Sequence, residues 1–215
     1  MKRAMILWVS IVMLVMNSVS VAAYFDVPKD IWYEEAVAYV TEQGWMLGVS
    51  ATEFAPELPA SRAMVATVFW RMAGAPKIES EYNPYADPMS GWYYRAAIWA
   101  FPDIMTGYPI PQEEPPIPTG IFYTFEGETA ITREQLAVVL YRWHGLREGN
   151  LTVQEDVLSV FPDKDQISPW AKEAVSWCVQ EGYLQGDGVR LEPLGLLTRA
   201  QLASVLMRYC TRPLL

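Results

Sequence analysis

Three arginines occupy matching places in this chain. Each follows a hydroxyl residue: Ser61-Arg62, Thr132-Arg133 and Thr198-Arg199. Each pair opens a stretch of helical periodicity, so each arginine lies just inside a helix N-terminus. A cation is disfavoured there because the helix dipole already makes that end positive. Three such placements point to a bound anion or to an internal ion pair. The free N–H groups of a helix N-terminus and a planar guanidinium together suit a carboxylate ligand. The internal candidates are Asp26, Asp87 and Asp163, each preceded two residues earlier by an aromatic: Tyr24, Tyr85 and Phe161. These acids cap local backbone or touch a ligand. Both readings fit the sequence.

Other chemistry has little to work with. One histidine and two cysteines do not make a zinc site and exclude a four-cysteine iron–sulfur cluster. Asp163-x-Asp165 begins like a calcium loop but lacks its central Gly and closing Glu. No Gly-x-Ser-x-Gly elbow, His-Glu-x-x-His pair or phosphate loop occurs. The acids do not cluster as a glycosidase pair beyond what repetition explains. No enzyme, metal or cofactor is expected. His144 ends a helix of the second copy, where the dipole favours it structurally. Cys178 and Cys210 are open to a disulfide in an exported protein, or Cys178 is a buried thiol.

The arginines sit in a unit that recurs three times. A Trp follows each Asp after six, five or seven residues: Trp32, Trp92 and Trp170. Counting from it, position +4 is Ala36, Ala96, Ala174 and position +7 is Tyr39, Trp99, Trp177. Position +8 is Val40, Ala100, Cys178. That stripe predicts a first helix. Asp30, Ser90 and Ser168 are its expected N-caps, with Pro169 at a first helical position. Gly44 and Gly182 suit left-handed C-caps, and Asp103 replaces them less comfortably. Turns follow at Gly48, Gly107 and Gly186. Phe54, Phe125 and Leu191 each precede an arginine by eight residues.

A second helix starts at the hydroxyl–Arg pair. Its stripe carries Val65, Leu136, Leu202, then Ala66, Ala137, Ala203 and Phe69, Leu140, Leu206. The repeated Ala predicts close helix approach. Thr132 with Gln135 and Thr198 with Gln201 have capping-box spacing, whereas Ser61 has Met64 in that place. Arg71, Arg142 and Arg208 lie late in their helices, where a cation is structural. Trp99, Trp143 and Trp177 are stripe residues and read as core. Trp32, Trp92 and Trp170 are open to core packing or to ligand stacking.

The chain has 215 residues, 52% hydrophobic and 19% charged, with 16 Lys+Arg against 25 Asp+Glu. This excludes disorder, and the net charge of −9 disfavours nucleic acid. Lys2-Arg3, an apolar run to Met16 and small residues at Val21-Ala22-Ala23 read as a secretory signal, the apolar run being short of a bilayer span, with an uncleaved anchor extending to Ala23 as the alternative. Its removal takes Lys2 and Arg3 and leaves −11. The expected organisation is a signal at 1–23 and units at 24–76, 77–146 and 147–215. No further domain is expected. Residues 108–124 form a loop with Pro109, Pro111, Pro115, Pro116 and Pro118, which exclude helix and central strand.

An aromatic-x-Asp, a Trp-bearing helix, a glycine turn and a hydroxyl–Arg helix start together resemble the S-layer homology (SLH) domain. Thr198-Arg199-Ala200-Gln201 is nearest to the family's Thr-Arg-Ala-Glu element. Thr132-Arg133-Glu134-Gln135 is near, and Ser61-Arg62-Ala63-Met64 is the most divergent. The resemblance implies an all-α fold, three tandem helix–loop–helix units in a pseudo-threefold bundle with grooves between lobes. It implies non-covalent attachment at the cell surface through a secondary cell-wall polysaccharide, often pyruvylated on N-acetylmannosamine. Arg62, Arg133 and Arg199 would be the main ligand contacts. Trp32, Trp92, Trp170, Asp26, Asp87, Asp163, Gly48, Gly107 and Gly186 would assist. Ligand-bearing sugars would stack on aromatic faces, and glycines would let backbone approach. The divergence at Met64 marks the Arg62 site as weakest. The alternative is a protein-interaction module of degenerate units, with other envelope proteins as partners.

Overall fold

The computed structural model describes residues 24–78, 82–111, 123–149, 151–154 and 156–212. The expected signal at 1–23 and the middle of the proline-rich loop lie outside them. The described residues are mostly helical: α1 (Glu34–Glu42), α2 (Arg62–Met72), α3 (Gly91–Ala100), α4 (Arg133–Arg147), α5 (Lys172–Gln180) and α6 (Arg199–Thr211). Two strands, β1 (Tyr108–Pro109) and β2 (Tyr123–Thr124), pair antiparallel at the base of the proline-rich loop. Pro109 fits there because such a ladder is all edge.

The second helices start as their sequence requires. Ser61, Thr132 and Thr198 are extended, and each side chain accepts from the amide three residues on. Gln135 and Gln201 return the bond to the cap amide at 3.0 and 3.1 Å, completing capping boxes. Met64 cannot. Thr198→Ala is expected to lower unfolding stability by about 1 kcal/mol. Urea unfolding checks this, as a lower midpoint at unchanged slope.

The first helices start later than expected. α1 begins at Glu34 behind Tyr33, and α5 at Lys172 behind Ala171. Asp30 is not a cap. It is left-handed, at φ 63°, and its amide donates to the Glu34 carboxylate. Ser168 is captured by Glu134 of α4, whose carboxylate accepts from its amide at 2.9 Å and its hydroxyl at 2.8 Å. Pro169 and Trp170 therefore lie in a turn before α5, as Trp32 lies before α1. Ser90 does precede α3, but without a side-chain cap bond. Gly44 and Gly182 end their helices at φ 71° and 70°. Asp103 does not copy them: α3 stops at an extended Phe101, before a cis Phe101–Pro102 bond.

Packing links each second helix to the first helix of the next unit. α2 lies on α3, α4 on α5, and α6 closes onto α1. Ala66, Ala137 and Ala203 are buried, as are Phe69, Leu140 and Leu206. The ring also closes through backbone. The Ala60 amide donates to Leu197, Leu197 to Ile131 and Ile131 to Ala60, at 2.7 to 3.0 Å. All three residues are fully buried, where such bonds cannot be exchanged for water.

Candidate ligand-binding grooves

The same ring consumes the helix N-termini. Amides of Arg62 and Ala63 donate to carbonyls of Thr129 and Gly127. Those of Arg133 and Glu134 go to Gly195 and Pro193, and those of Arg199 and Ala200 to Leu58 and Pro56. With the third amide bound to the cap hydroxyl, the first turn has no free donor for a ligand. The expected backbone anion site is therefore absent at all three helices. A neighbouring loop has filled it, because buried orphan amides must find acceptors. At these helix starts, the guanidinium groups are what remains for anion recognition.

Those groups are buried, not solvated: Arg62 is 5%, Arg133 8% and Arg199 5% exposed. Each reaches across to the following unit. The Nε atoms of Arg62, Arg133 and Arg199 donate to carbonyls of Phe125, Leu191 and Phe54 at 2.8 to 2.9 Å. The aspartates hold the same residues from the other side. Asp26 accepts from the amides of Phe54 and Ala55, Asp87 from Phe125 and Glu126, and Asp163 from Leu191 and Glu192. Ala55, Glu126 and Glu192 are left-handed, with φ of 54° to 57°. That conformation costs a non-glycine residue about 1–3 kcal/mol, which the paired amide bonds offset. So Arg and Asp do not pair directly. They clamp one peptide segment between them.

The turn glycines are sterically required. A Cβ on Gly48 would meet carbonyls of Ser50 and Glu53, and one on Gly107 the carbonyl of Thr124. One on Gly186 would meet the carbonyl of Arg190. Trp32, Trp92 and Trp170 are 62%, 50% and 59% exposed, which excludes the core reading for them. Trp143 and Trp177 are buried, and Trp99 packs edge-on against Trp143 at 6.0 Å. Buried His144 lies against Trp177 and within 3.3 Å of the Tyr209 hydroxyl. Both cysteines are free: Cys178 is buried, with its thiol pKa pushed well up by that burial, and Cys210 is exposed.

Among the grooves that collect residues from all three units, two hold a helix-start arginine. One, of about 290 Å³, is lined by Arg133, the turn at Gly186, Gln201, Val205 and Arg208 of α6, and Trp32. The other, of about 270 Å³, combines Arg62, the turn at Gly107, Gln135, Val139 and Arg142 of α4, and Trp170. Arg208 and Arg142 thus enter grooves, a role the position late in a helix had hidden. The visible signal was spacing: Gln201, Val205, Arg208 and Gln135, Val139, Arg142 each mark one helix face.

The two grooves differ electrostatically. Burial lowers the Arg133 guanidinium pKa, while Glu192, Asp187 and Asp163 pull it up. Burial likewise lowers that of Arg208, and the Arg133 charge lowers it further. The two guanidiniums line one cavity together with the carboxylates of Asp187 and Glu192. Arg62 instead lies under the Tyr108 ring at 4.6 Å and donates a second bond, to the Thr106 carbonyl, at 2.8 Å. Gln135 donates to the Tyr108 hydroxyl at 3.0 Å, fixing that ring.

Two stretches of the chain resemble a known family. Residues 26–64 and 160–203 match the S-layer homology domain, from α1 into the start of α2 and from α5 into the start of α6. The S-layer protein sap of Bacillus anthracis is 26% identical over 186 residues, covering 85% of this chain and 20% of its own. An endoglucanase of Bacillus sp. (strain KSM-635) is 29% identical over 189 residues, 85% of this chain and 18% of its own. Exoglucanase XynX of Acetivibrio thermocellus is 22% identical over 187 residues, 85% and 16%. The chain thus spans about a fifth or less of the length of these relatives. Among the described residues, no helix is long and apolar enough to cross a membrane.

Proposed function

We propose that the three units, residues 24–76, 77–146 and 147–215, form one non-catalytic module that holds the protein on the cell wall. The ligand is an anionic secondary polysaccharide, bound non-covalently in the inter-unit grooves. The observation that carries this reading is the groove at Arg133. Its guanidinium is nine-tenths buried, spends only Nε on the protein among the described residues, and faces Arg208. A carboxylate between two such groups relieves their repulsion and accepts charge-assisted bonds. Exposed Trp32 at the rim offers a ring face to the sugar that carries it. A chain with net charge −9 gains no help from bulk attraction, so recognition has to be local.

Co-sedimentation with purified sacculi tests this. Trp32→Ala removes an exposed ring and should leave the melting temperature unchanged while weakening binding. Arg133→Ala should weaken it about 10–100-fold, the worth of one charge-assisted contact. Its melt is followed in parallel, since Arg133 also bonds Leu191. Undiminished binding of both variants, or of wild type to sacculi stripped of acidic polymer, would refute the mechanism.

A further inference from the structure

The three arginines are not equally available, and Met64 is the reason. Sequence register sets Met64 beside Arg62, two residues away on the same helix. The fold sets it elsewhere. Each groove joins the arginine of one unit to the second helix of the next, and the ring makes α2 the partner of Arg199. Met64 therefore occupies, opposite Arg199, the place that Gln135 takes opposite Arg62 and Gln201 opposite Arg133. Arg199 is also the most fully engaged of the three. Its Nε binds Phe54 O at 2.8 Å, its Nη2 binds Leu47 O at 2.7 Å, and its Nη1 lies 3.8 Å from the Met64 sulfur. The Phe54 ring covers its face at 4.5 Å, much as Tyr108 at 4.6 Å and Phe125 at 5.3 Å cover Arg62, so the sulfur at Nη1 is what sets Arg199 apart. Arg133 has one such bond and Arg62 two.

We infer that Met64 closes the groove at Arg199, so that the chain presents two anion-binding grooves, at Arg133 and Arg62, instead of three. A thioether is a poor acceptor and carries no charge, so it satisfies nothing that a carboxylate would. It does exclude water and ligand from the Nη1 edge. In the other two grooves the glutamine is held by its own helix cap: Gln135 Oε1 accepts from Thr132 N and Gln201 Oε1 from Thr198 N. A glutamine at position 64 would be drawn back to Ser61 in the same way, completing that box and uncovering Arg199. The site expected from sequence to be weakest thus moves from Arg62 to Arg199.

This inference rests on the glycan reading for its ligand but not for its geometry, and two measurements separate them. Calorimetric titration with a methyl glycoside of pyruvylated N-acetylmannosamine should give two sites for the full chain and three for Met64→Gln. Phenylglyoxal labelling, read residue by residue by mass spectrometry, needs no glycan. It should modify Arg133 and spare Arg199 in wild type, and Met64→Gln should lose that protection. Three sites in wild type, or labelling of Arg199 as fast as Arg133, overturns the inference. So does a Met64→Gln variant that still binds two. If no variant binds the saccharide, the glycan reading falls, and the labelling contrast alone decides whether Met64 shields Arg199.

Discussion

Replacing Asp163 with alanine is expected to cost about 2–4 kcal/mol of folding stability, from a lost buried acceptor and a released strained residue. The carboxylate is 6% exposed and accepts two amides, from Leu191 at 3.0 Å and Glu192 at 2.8 Å. Leu191 is itself buried, so its amide finds no water when the carboxylate goes. Glu192 is held at φ 54° by the second bond. For a chain of this size the loss corresponds to a melting temperature lower by about 10 °C. Asp163→Asn keeps one acceptor and should lose less. The pH dependence separates charge from shape. Burial raises the Asp163 pKa, but the Leu191 and Glu192 amides and the Arg190 charge outweigh it, and the folded value lies below the ordinary one. A depressed carboxylate pKa contributes stability that is present above the unfolded value, about 3.9, and lost as pH falls through the folded one. Wild type should therefore lose stability below about pH 4, and Asp163→Asn should show a shallower acid limb. An acid limb of equal steepness in both would show that the carboxylate charge is not what holds the segment.

Much of this fold was legible in the sequence because its signals are local. The apolar stripe through Ala174, Trp177 and Cys178 and the box of Thr198 and Gln201 depend on residues within a few positions of each other. The structure keeps them. Gly44 and Gly182 were legible for the same reason. Local signals fail where a tertiary partner outcompetes a local one. Ser168 has the right type to cap α5, yet Glu134 of another helix takes both its donors. The helix N-termini looked like anion sites because a sequence shows which amides are orphaned within a helix. It does not show which loop carbonyl arrives to satisfy them. The grooves posed a related difficulty. Register aligns Arg62, Arg133 and Arg199 with one another, but function depends on what lies across from each. Arg62 meets Gln135, Arg133 meets Gln201, and Arg199 meets Met64. Comparing equivalent positions cannot reveal contacts between non-equivalent ones, so the order in which the ring closes had to come from the structure.

Gly186→Ala should be the most damaging change in the grooves, and the fold supplies its own control. Gly186 and Gly44 share the left-handed conformation, with φ of 68° and 71°. Forcing alanine into it costs about 1–2 kcal/mol at either place. Nothing lies within 4 Å of a Cβ on Gly44, so Gly44→Ala should lose that amount and no more. At Gly186 the added carbon would meet the Arg190 carbonyl and lie 3.2 Å from the Leu191 Cα. Backbone cannot rotate away as a side chain can, so the turn itself must move, adding about 1–3 kcal/mol of overpacking. The total is about 2–5 kcal/mol, and the excess over Gly44→Ala in urea unfolding measures the clash. The displaced residues matter for binding as well. Asp187 holds the amides of Val189 and Arg190, and Leu191 is the residue that Arg133 and Asp163 clamp. A shift of this turn pulls on the clamp and reshapes the Arg133 groove, while the Arg62 groove keeps its own turn at Gly107. Saccharide titration of Gly186→Ala should therefore lose one of two sites and spare the other. Loss of both, in protein that melts cooperatively, would mean that the grooves are coupled through the ring of Ala60, Ile131 and Leu197 instead of acting separately.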